Sequence, residues 1–424
     1  MSIKNLSLIP ATGKIDNQFI GLKIFNNQIE FHYPETYQLS GNDNELRRDI
    51  LAILRTITLA KTKTGDVSSF YTSHKKEYSF PLSAFLWIIN DYLTYGRYEN
   101  REKSYKHGIK GKINWKRTMH SVPVISNGNV IYTDIISEKK SQKDNLLTEI
   151  YFFCVQQAVY SIGWLYGITF DSNGIDYNRL FNRKRYQTAV NYELAHTFDD
   201  QKKIRLQNMK SIIVGLDDDM VNTSEMIYGV DSYDYVFERM IDSMFSKVDN
   251  IKEFYPQAEW ELELESRPVP SSKLRPDTVI VRSDRESGKK TVYIIDAKYY
   301  RYGTTFAPSD LPETTSIQKQ ITYGEYVKKL SEGQYSAVYS AFILPYSKET
   351  NFHKERFFEN LVFIGIGTAK WFSENETATS PNRQIAAILI DTKYLINNWV
   401  RKNDDNIDHL ISLIEKHIRN NNNT

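Results

Sequence analysis

The sequence predicts an α/β (α+β) chain with a mixed central sheet, flanked by helices, in its C-terminal half and a mostly helical N-terminal half. Three observations predict this class. Apolar residues recur at helical spacing in several long segments. Strand-like runs follow one another after residue 230, and a helix-like segment separates two of them. An antiparallel strand pair followed by a helix and another strand is typical of a sheet with mixed strand directions.

Length and composition restrict the protein class before any motif is considered. The 424 residues predict more than one domain. The 54 Lys and Arg balance 52 Asp and Glu, which excludes a uniformly basic coating protein. The single cysteine, Cys154, excludes an intrachain disulfide and a cysteine-rich zinc site. No strictly apolar run approaches the roughly 20 residues of a membrane span, and no secretory signal is recognisable. We therefore expect a cytoplasmic protein that does not enter a membrane.

The N-terminal half begins with short extended pieces and continues as helices. Apolar residues spaced by three and four predict a helix over Asn44–Lys61. A second helix is predicted over Pro81–Tyr95, with proline early and Gly96 just after its end. Leu146–Tyr166 is long, largely apolar and predicted to be helical. Between the last two lies Arg97–Thr118, which is predicted to be a basic loop or ribbon.

In the C-terminal half, segments with the apolar spacing of helices alternate with strand-like segments. We place the domain boundary in the acidic loop Gly215–Asn222, which divides the chain into residues 1–224 and 225–424. The predicted elements after it are, in order, the helix Tyr233–Phe245, the strands Glu259–Glu265, Asp277–Arg282 and Thr291–Tyr300, the helix Thr315–Leu330, the strands Ala337–Leu344, Leu361–Gly367 and Gln384–Asp391, and the helix Ile407–Arg419.

Two aspartates are predicted to face each other near the open end of a hairpin. A hairpin symmetric about a turn at Arg285–Gly288 pairs Arg282 with Thr291 and Asp277 with Asp296. Cross-strand partners have Cβ atoms about 4.5–5.5 Å apart, and two carboxylates at that distance repel each other. A divalent cation between them removes the repulsion, because hard cations such as Mg²⁺ favour carboxylate oxygens. The pair is therefore a candidate metal site.

A lysine completes the candidate site. Lys298 lies two residues beyond Asp296, so both side chains point to the same face of the strand. Acids and a lysine on one face of an otherwise apolar hairpin are costly unless they serve a function. The alternative is an exposed hairpin end with a simple Asp–Lys ion pair. A second Asp-x-Lys, at Asp391 and Lys393, lacks an opposing acid, and we expect Asp391 to cap a short helix instead.

These motifs resemble a known nuclease superfamily. Pro276-Asp277 followed by Asp296-Ala297-Lys298 resembles the PD-(D/E)XK signature. Phe237-Glu238 is similar to the helix acid of that superfamily, and the segment with Gln320 and Tyr323 is similar to its glutamine and tyrosine helix. Within the superfamily the chain resembles LlaJI-type restriction endonucleases, which are related to the nuclease subunit of McrBC systems. The stretches FPLSAFLWIINDYLTYG and HGIKGKINWKRT carry that resemblance.

The resemblance implies a Mg²⁺-dependent restriction endonuclease that hydrolyses phosphodiester bonds in double-stranded DNA and defends its host against foreign DNA. It implies that Asp277 and Asp296 bind the metal, that Lys298 acts on the attacking water or the phosphate, and that Mn²⁺ can replace Mg²⁺. A repair nuclease or exonuclease on the same core is one alternative. A DNA-binding subunit of a multi-subunit restriction complex is another.

Two further candidate catalytic residues come from the helices. Glu238 lies beside the buried stripe of its helix, and a solvated acid is the alternative interpretation. Gln320 shares one helix side with Tyr323, Gly324 and Val327, and a plain surface amide is the alternative. In this chain the glutamine and tyrosine are three residues apart, which leaves open whether Gln318, Lys319 or Gln320 faces the metal.

Two basic clusters are candidates for DNA binding, and we assign recognition to residues 1–224. Such clusters suit contacts with phosphates, although a solvated charged surface is the alternative. No phosphate-binding loop of the Walker A kind is present in the sequence, so any GTPase or AAA+ motor must be a separate subunit. A cognate methyltransferase is expected as a genetic neighbour. The candidate DNA-binding residues are Lys110, Lys112, Trp115, Lys116 and Arg117 in the first cluster and Arg183, Lys184 and Arg185 in the second.

Overall fold

The computed structural model describes residues 6–12, 18–25, 28–62, 81–96, 98, 101–142, 145–170, 174–216, 226–283, 289–330, 335–373 and 380–421. Its strands are β1 (Leu6–Ala11), β2 (Ile20–Phe25), β3 (Gln28–Pro34), β4 (Arg101–His107), β5 (Lys112–Ile113), β6 (Val124–Ser126), β7 (Asn129–Ile131), β8 (Ile136–Gln142), β9 (Met226–Val230), β10 (Glu259–Trp260), β11 (Val269–Pro270), β12 (Thr278–Ser283), β13 (Lys290–Ala297), β14 (Tyr335–Tyr346), β15 (Leu361–Gly367) and β16 (Ile385–Asp391). Its helices are α1 (Asp43–Thr62), α2 (Leu82–Tyr95), α3 (Trp115–Thr118), α4 (Asn145–Tyr166), α5 (Tyr177–Leu180), α6 (Arg183–His196), α7 (Asp200–Gly215), α8 (Asp234–Phe245), α9 (Tyr302–Thr305), α10 (Thr314–Leu330), α11 (Thr392–Asn398) and α12 (Asp404–Asn421).

The described residues form two compact units. One contains residues 81–216, and the other contains residues 6–62 together with 226–421. The chain passes between the units near the predicted boundary, although most of the loop placed there lies outside the described residues. The predicted division places residues 6–62 in the N-terminal domain, whereas in the structure they group with the C-terminal half. The physical reason is strand pairing: β2 pairs with β9 in an antiparallel ladder that runs from Ile20 opposite Val230 to Ile24 opposite Met226.

The unit of residues 81–216 has a helical core, and its described strands form a three-stranded sheet in the order β4-β8-β5 and the β6–β7 hairpin. Helices α2, α4 and α7 enclose the buried carboxylate of Asp91. That carboxylate accepts hydrogen bonds of 2.8 and 2.7 Å from Arg205 and one of 3.0 Å from the Tyr151 hydroxyl. A buried charge is stable only with such a set of donors. The predicted basic ribbon is the strands β4 and β5, which both pair with β8, followed by α3.

The other unit is built on a five-stranded mixed sheet in the order β12-β13-β14-β16-β15. The outer pairs, β12 with β13 and β15 with β16, are antiparallel, whereas β13, β14 and β16 run parallel. Helix α10 connects β13 to its parallel neighbour β14. The predicted mixed central sheet is therefore confirmed, and the chain as a whole is α+β.

Helices cover both faces of this sheet. On one face, Val279, Ile294 and Val338 pack in a single buried cluster with Tyr323 and Val327 of α10. On the other face, the Tyr293 hydroxyl donates a 2.6 Å hydrogen bond to Glu415 of α12. Because side chains alternate along a strand, every second residue of β13 faces α10. That set includes Ile294 and Asp296.

The predicted helices are present with ends shifted by at most three residues. The predicted strand Glu259–Glu265 is shorter, since only Glu259–Trp260 pairs, with β11. All residues from 257 to 270 are exposed, so no neighbouring strand extends the ladder. Cys154 is buried and is a free thiol, as expected for a small hydrophobic residue. Among the described helices, none is both long and apolar enough to cross a membrane.

Candidate active site

The hairpin of β12 and β13 brings the two predicted aspartates to the same end of the sheet. Its ladder pairs Arg282 with Thr291 and continues to Thr278 opposite Ile295, which confirms the predicted register. One step beyond, Asp277 stands beside Asp296, and its carboxylate accepts a 2.9 Å hydrogen bond from the Ala297 N–H. The turn itself, Arg285–Gly288, lies outside the described residues.

Lys298 contacts the same pair. Its ammonium forms an ion pair with one carboxylate oxygen of Asp296, while the other oxygen, Oδ1, is buried and has no hydrogen-bond partner in the described chain. The Lys298 N–H donates a 2.9 Å hydrogen bond to the Ile343 carbonyl of β14, which fixes the backbone just beyond β13. Asp296 is only 1% exposed, so the alternative of an exposed Asp–Lys pair does not describe this hairpin end.

The electrostatics show how closely these groups interact. Burial, followed by the charges of Asp296 and Glu238, raises the pKa of Asp277 to about 8. Burial lowers the pKa of Lys298, but the charge of Asp296 and the hydrogen bond to it outweigh this effect and raise the pKa above its usual value. Lys298 is therefore a cation in direct contact with a group of carboxylates that repel one another.

Helix α8 adds Glu238 to this group. Its neighbours Phe237 and Ile241 are fully buried and anchor the helix, while Glu238 is half-buried. Burial raises the pKa of Glu238, the charge of Lys298 lowers it, and the charge of Asp296 raises it. Glu238 therefore lies within electrostatic reach of the hairpin end. The interpretation as a simply solvated acid does not account for that coupling.

Helix α10 places Gln320 inside the protein. Gln320 and Tyr323 are both fully buried, whereas Gln318 is exposed and Lys319 is intermediate. The inward-facing residue of the segment is therefore Gln320, and the alternative of a surface amide is wrong. Neither amide atom of Gln320 has a hydrogen-bond partner among the described residues. The pKa of Tyr323 is raised by burial first and then by the charges of Asp296 and Asp277, so this helix face looks onto the site.

A buried serine of β14 also belongs to this region, and sequence reasoning missed it. Ser340 pairs with Ile294 of β13, and its hydroxyl is fully buried without a hydrogen-bond partner in the described chain. The available signal was a hydroxyl in the middle of the apolar run AVYSAFIL, where every neighbouring strand residue is hydrophobic.

The donor set suits a hydrated magnesium ion. Asp277 and Asp296 offer carboxylate oxygens, and the buried Oδ1 of Asp296 is free to accept a ligand. In the described residues, no group of three or more His, Cys, Asp or Glu side chains could hold a metal by itself. Mg²⁺ is commonly bound by one or two carboxylates and keeps several waters, unlike zinc or calcium in all-protein cages.

Comparison with known proteins decides the family. The model of the LlaJI restriction endonuclease family matches residues 19–391. The chain belongs to the LlaJI restriction endonuclease family. It is therefore a restriction nuclease of host defence, and DNA is its substrate. The matched range contains the hairpin, α8 and α10, so all five candidate catalytic residues lie within it.

Two solved structures are similar to this LlaJI-family chain at low scores. A chain of the half-complex from the tetradecameric assembly of Thermococcus gammatolerans McrB AAA+ hexamers with bound McrC is 14% identical, with a TM-score of 0.39, and the match covers 92% of this chain and 83% of that one. A chain of the Thermococcus gammatolerans McrBC complex is 16% identical, with a TM-score of 0.22 and coverage of 53% and 64%. No curated protein matches the sequence.

The first basic cluster of this LlaJI-family chain forms an exposed surface around α3. Lys110, Lys112, Lys116 and Arg117 are exposed, and Trp115 is 55% exposed. The side chain of Asn114 accepts a hydrogen bond from the Arg117 N–H and so fixes the start of this short helix. The guanidinium of Arg117 lies 3.9 Å from the centre of the Tyr105 ring, so it is oriented by a cation–π contact.

The second basic cluster is at the start of α6 and is less available. Arg185 lies 3.8 Å from Glu149. Arg183 is half-buried, whereas Lys184 is exposed. Charges that are already compensated gain less from a phosphate. The first cluster has four exposed cations and the second has two, so the first is the larger exposed surface for an anion.

The second Asp-x-Lys of the sequence has a structural role. Asp391 caps α11 by accepting a 2.9 Å hydrogen bond from the Tyr394 N–H, and it accepts another of 3.0 Å from the Lys348 N–H. Lys393 points elsewhere and donates a 3.1 Å hydrogen bond to the Gln38 carbonyl. The expected N-cap is confirmed.

Proposed function

We propose that this LlaJI-family protein is a Mg²⁺-dependent endonuclease that hydrolyses phosphodiester bonds of double-stranded DNA on a PD-(D/E)XK core. The observation that carries the proposal is the convergence of Asp277, Asp296 and Lys298 at one end of the β12–β13 hairpin, in the order and spacing of that signature. The nuclease domain is residues 225–424, to which the described N-terminal residues 6–62 add a sheet and α1.

Each side chain has a distinct part in the proposed reaction. Asp277 and Asp296 would hold the metal, which supplies an activated water and a positive charge at the scissile phosphate. Lys298 stays near the reacting groups because its backbone is fixed to β14 and its ammonium to Asp296. Its cationic form stabilises negative charge that develops on the phosphate oxygens. Glu238 is the third acid of the site and is able to accept a proton from the attacking water.

DNA binding is proposed for the surface of Lys110, Lys112, Lys116 and Arg117, with Trp115 as a flat apolar contact beside them. Four exposed cations within a few residues suit the phosphate backbone, and sequence would be read elsewhere. Recognition is assigned to residues 1–224, and within it to the compact unit of residues 81–216.

The chain has no phosphate-binding loop of its own, so any motor activity of the system requires a separate GTPase or AAA+ subunit. The β6–β7 hairpin supports a partner surface, since Val124, Ile125, Val130 and Ile131 are all exposed. Exposed apolar clusters of this kind mark interaction sites. If the nuclease acts alone, it is a type II enzyme; if it needs a GTPase or AAA+ subunit, it is McrBC-like.

The test is a cleavage assay on closed circular DNA with Mg²⁺, with Mn²⁺ and with EDTA. Linearised and nicked products that require the cation, and that Asp296→Asn abolishes, are expected. Asp391→Asn is the matched control, because it alters an Asp-x-Lys aspartate of structural role, and it should retain cleavage. Degradation of linear DNA with no attack on circular DNA would instead favour the exonuclease alternative. Repeating the assay with a candidate motor subunit separates the two restriction types.

A further inference from the structure

Ser340 and Gln320 form a polar pair inside an otherwise apolar layer. Both are 0% exposed. The Ser340 hydroxyl and both amide atoms of Gln320 lack hydrogen-bond partners among the described residues. An unsatisfied buried polar group costs about 1–3 kcal/mol, and native proteins leave few of them. Alanine and leucine would avoid this cost, so the polar atoms point to a ligand that satisfies them.

Strand register places Ser340 on the same sheet face as the carboxylates. Its neighbours two residues away, Val338 and Phe342, pack in the clusters that contain Tyr323 and Ile321 of α10. Side chains two residues apart on a strand point to the same face, so Ser340 faces α10 together with Val338 and Phe342. Phe342 pairs with Asp296 across the parallel ladder, so Ser340 is the diagonal neighbour of Asp296 on that face.

Helix periodicity brings Gln320 to the same place. It lies three and seven residues before Tyr323 and Val327, which pack against Ile294 and Val338 of the sheet. Along the parallel β13–α10–β14 connection, Ile321 packs with Phe342 and Leu344 towards the end of β14, whereas Val327 packs with Val338 near its start. Gln320 is therefore on the carboxylate side of that helix face, at the level of Asp296.

The chemistry of these atoms matches metal-bound water. A hydroxyl oxygen and an amide oxygen accept hydrogen bonds, and waters on a divalent cation are strong donors. No group of three or more His, Cys, Asp or Glu in the described residues could hold a metal, so Glu238 does not complete a cage with the two aspartates. A cation held by two carboxylates must therefore keep several waters, as Mg²⁺ does, and those waters need acceptors.

We propose that Ser340 and Gln320 are water-mediated partners of the divalent cation held by Asp277 and Asp296, and that they favour Mg²⁺, which keeps its waters, over Ca²⁺, which sheds them more readily. They are positioning residues that act through the bound waters. This inference rests on the proposed function, because it requires the cation site. It adds Ser340, which the nuclease signature does not contain, and it assigns the contact of Gln320 to the bound waters.

The experiment titrates Mg²⁺ and Ca²⁺ into the full chain by calorimetry and measures the unfolding of the metal-free protein in parallel. Ser340→Ala and Gln320→Leu should each weaken Mg²⁺ binding about 10-fold or more, as loss of outer-shell partners does, and should weaken Ca²⁺ binding less. Their metal-free stability should be unchanged or higher, since an unpaired buried polar group is removed. Ser340→Thr keeps the hydroxyl and should restore Mg²⁺ affinity.

Thr278→Val is the matched control. The Thr278 hydroxyl is also buried without a partner in the described chain, but it alternates with Val279 and so lies on the other sheet face. This variant should keep wild-type Mg²⁺ affinity. Equal Mg²⁺ affinity in the wild type, Ser340→Ala and Gln320→Leu would overturn the inference. It would also be overturned if Ser340→Ala lost Mg²⁺ binding through unfolding and Ser340→Thr did not restore the affinity. Absence of Mg²⁺ binding in the wild type, or unchanged binding in Asp296→Asn, would instead overturn the cation site itself.

Discussion

The Ala297 N–H donates a 2.9 Å hydrogen bond to the carboxylate of Asp277, which ties the end of β12 to β13 at the candidate metal site. The bond extends the antiparallel ladder by a side chain where the backbone pairing stops. It also leaves the two carboxylates facing one another, with Lys298 as the cation in contact with Asp296. The geometry at the site therefore depends on the strand register and not on a flexible loop.

The first prediction concerns this acid pair. Asp277→Asn and Asp296→Asn should each abolish cleavage, because each removes one of two carboxylates available to the metal. Folding and DNA binding should be retained, since the amides keep the shape and relieve the repulsion. Cleavage of plasmid DNA and binding of a labelled duplex in Ca²⁺ measure the two effects. An Asp296→Asn enzyme that still cleaves would remove both aspartates from the mechanism.

The second prediction concerns the stability of the metal-free protein. Burial raises the pKa of Asp277 from 3.8 to about 8. Between about pH 4 and pH 8, the folded state therefore keeps a proton on Asp277 that the unfolded state has lost. Stability should therefore fall as pH rises from about 4 to 8. Asp277→Asn cannot ionise and should lose this dependence, gaining on the order of 1–3 kcal/mol over the wild type near pH 8 after solvent screening.

Urea unfolding in EDTA at several pH values measures the difference. Asp408→Asn is the control, because Asp408 forms an exposed ion pair with Arg282 at the far end of the hairpin. A stability difference between Asp277→Asn and the wild type that stays constant from pH 4 to 8 would contradict the assigned cause.

The third prediction separates DNA binding from chemistry. Replacing Lys112, Lys116 and Arg117 together by Ala should weaken binding and flatten its salt dependence. Each lost phosphate contact should lower the slope of log K against log salt by about 0.9. Lys202→Ala is the control within the same unit, because Lys202 is an internal cation paired with Glu193. An unchanged slope in the triple variant would show that the surface is only solvated.

Local patterns allowed most of the C-terminal core and its hairpin to be predicted. Alternation and turn symmetry give the pairing of Arg282 with Thr291, and that register brings Asp277 to Asp296 without further information. Helical spacing likewise predicts α10, but it leaves open which of Gln318, Lys319 and Gln320 faces the site. These features depend on residues that are close in sequence, for which periodicity is informative.

The remaining features depend on contacts that no local pattern encodes. Ile20 pairs with Val230 across most of the N-terminal half, so residues 6–62 could not be assigned to their unit from the sequence. Ser340 is a single hydroxyl in a buried strand, and its position near the candidate metal site follows only from the strand register that makes it the diagonal neighbour of Asp296. The second basic cluster was predicted from charge alone, but the proximity of Arg185 to Glu149 depends on tertiary packing.

The last prediction concerns Lys298 and the identity of the metal. Lys298→Ala should keep Mg²⁺ affinity, because the lysine contacts a metal-binding carboxylate and is not itself a ligand. The cleavage rate should fall by roughly 10²–10³ or more, the size of the effect when an electrostatic or proton-transfer group is lost. In the wild type, Mn²⁺ should replace Mg²⁺, whereas Ca²⁺ should support DNA binding without cleavage, since its longer and looser coordination positions the water poorly. Calorimetric metal titration beside single-turnover cleavage measures both quantities, with Lys393→Ala as the control from the structural Asp-x-Lys. A Lys298→Ala protein that loses metal affinity and cleavage in equal proportion would make Lys298 a structural partner of the two aspartates and not a participant in the reaction.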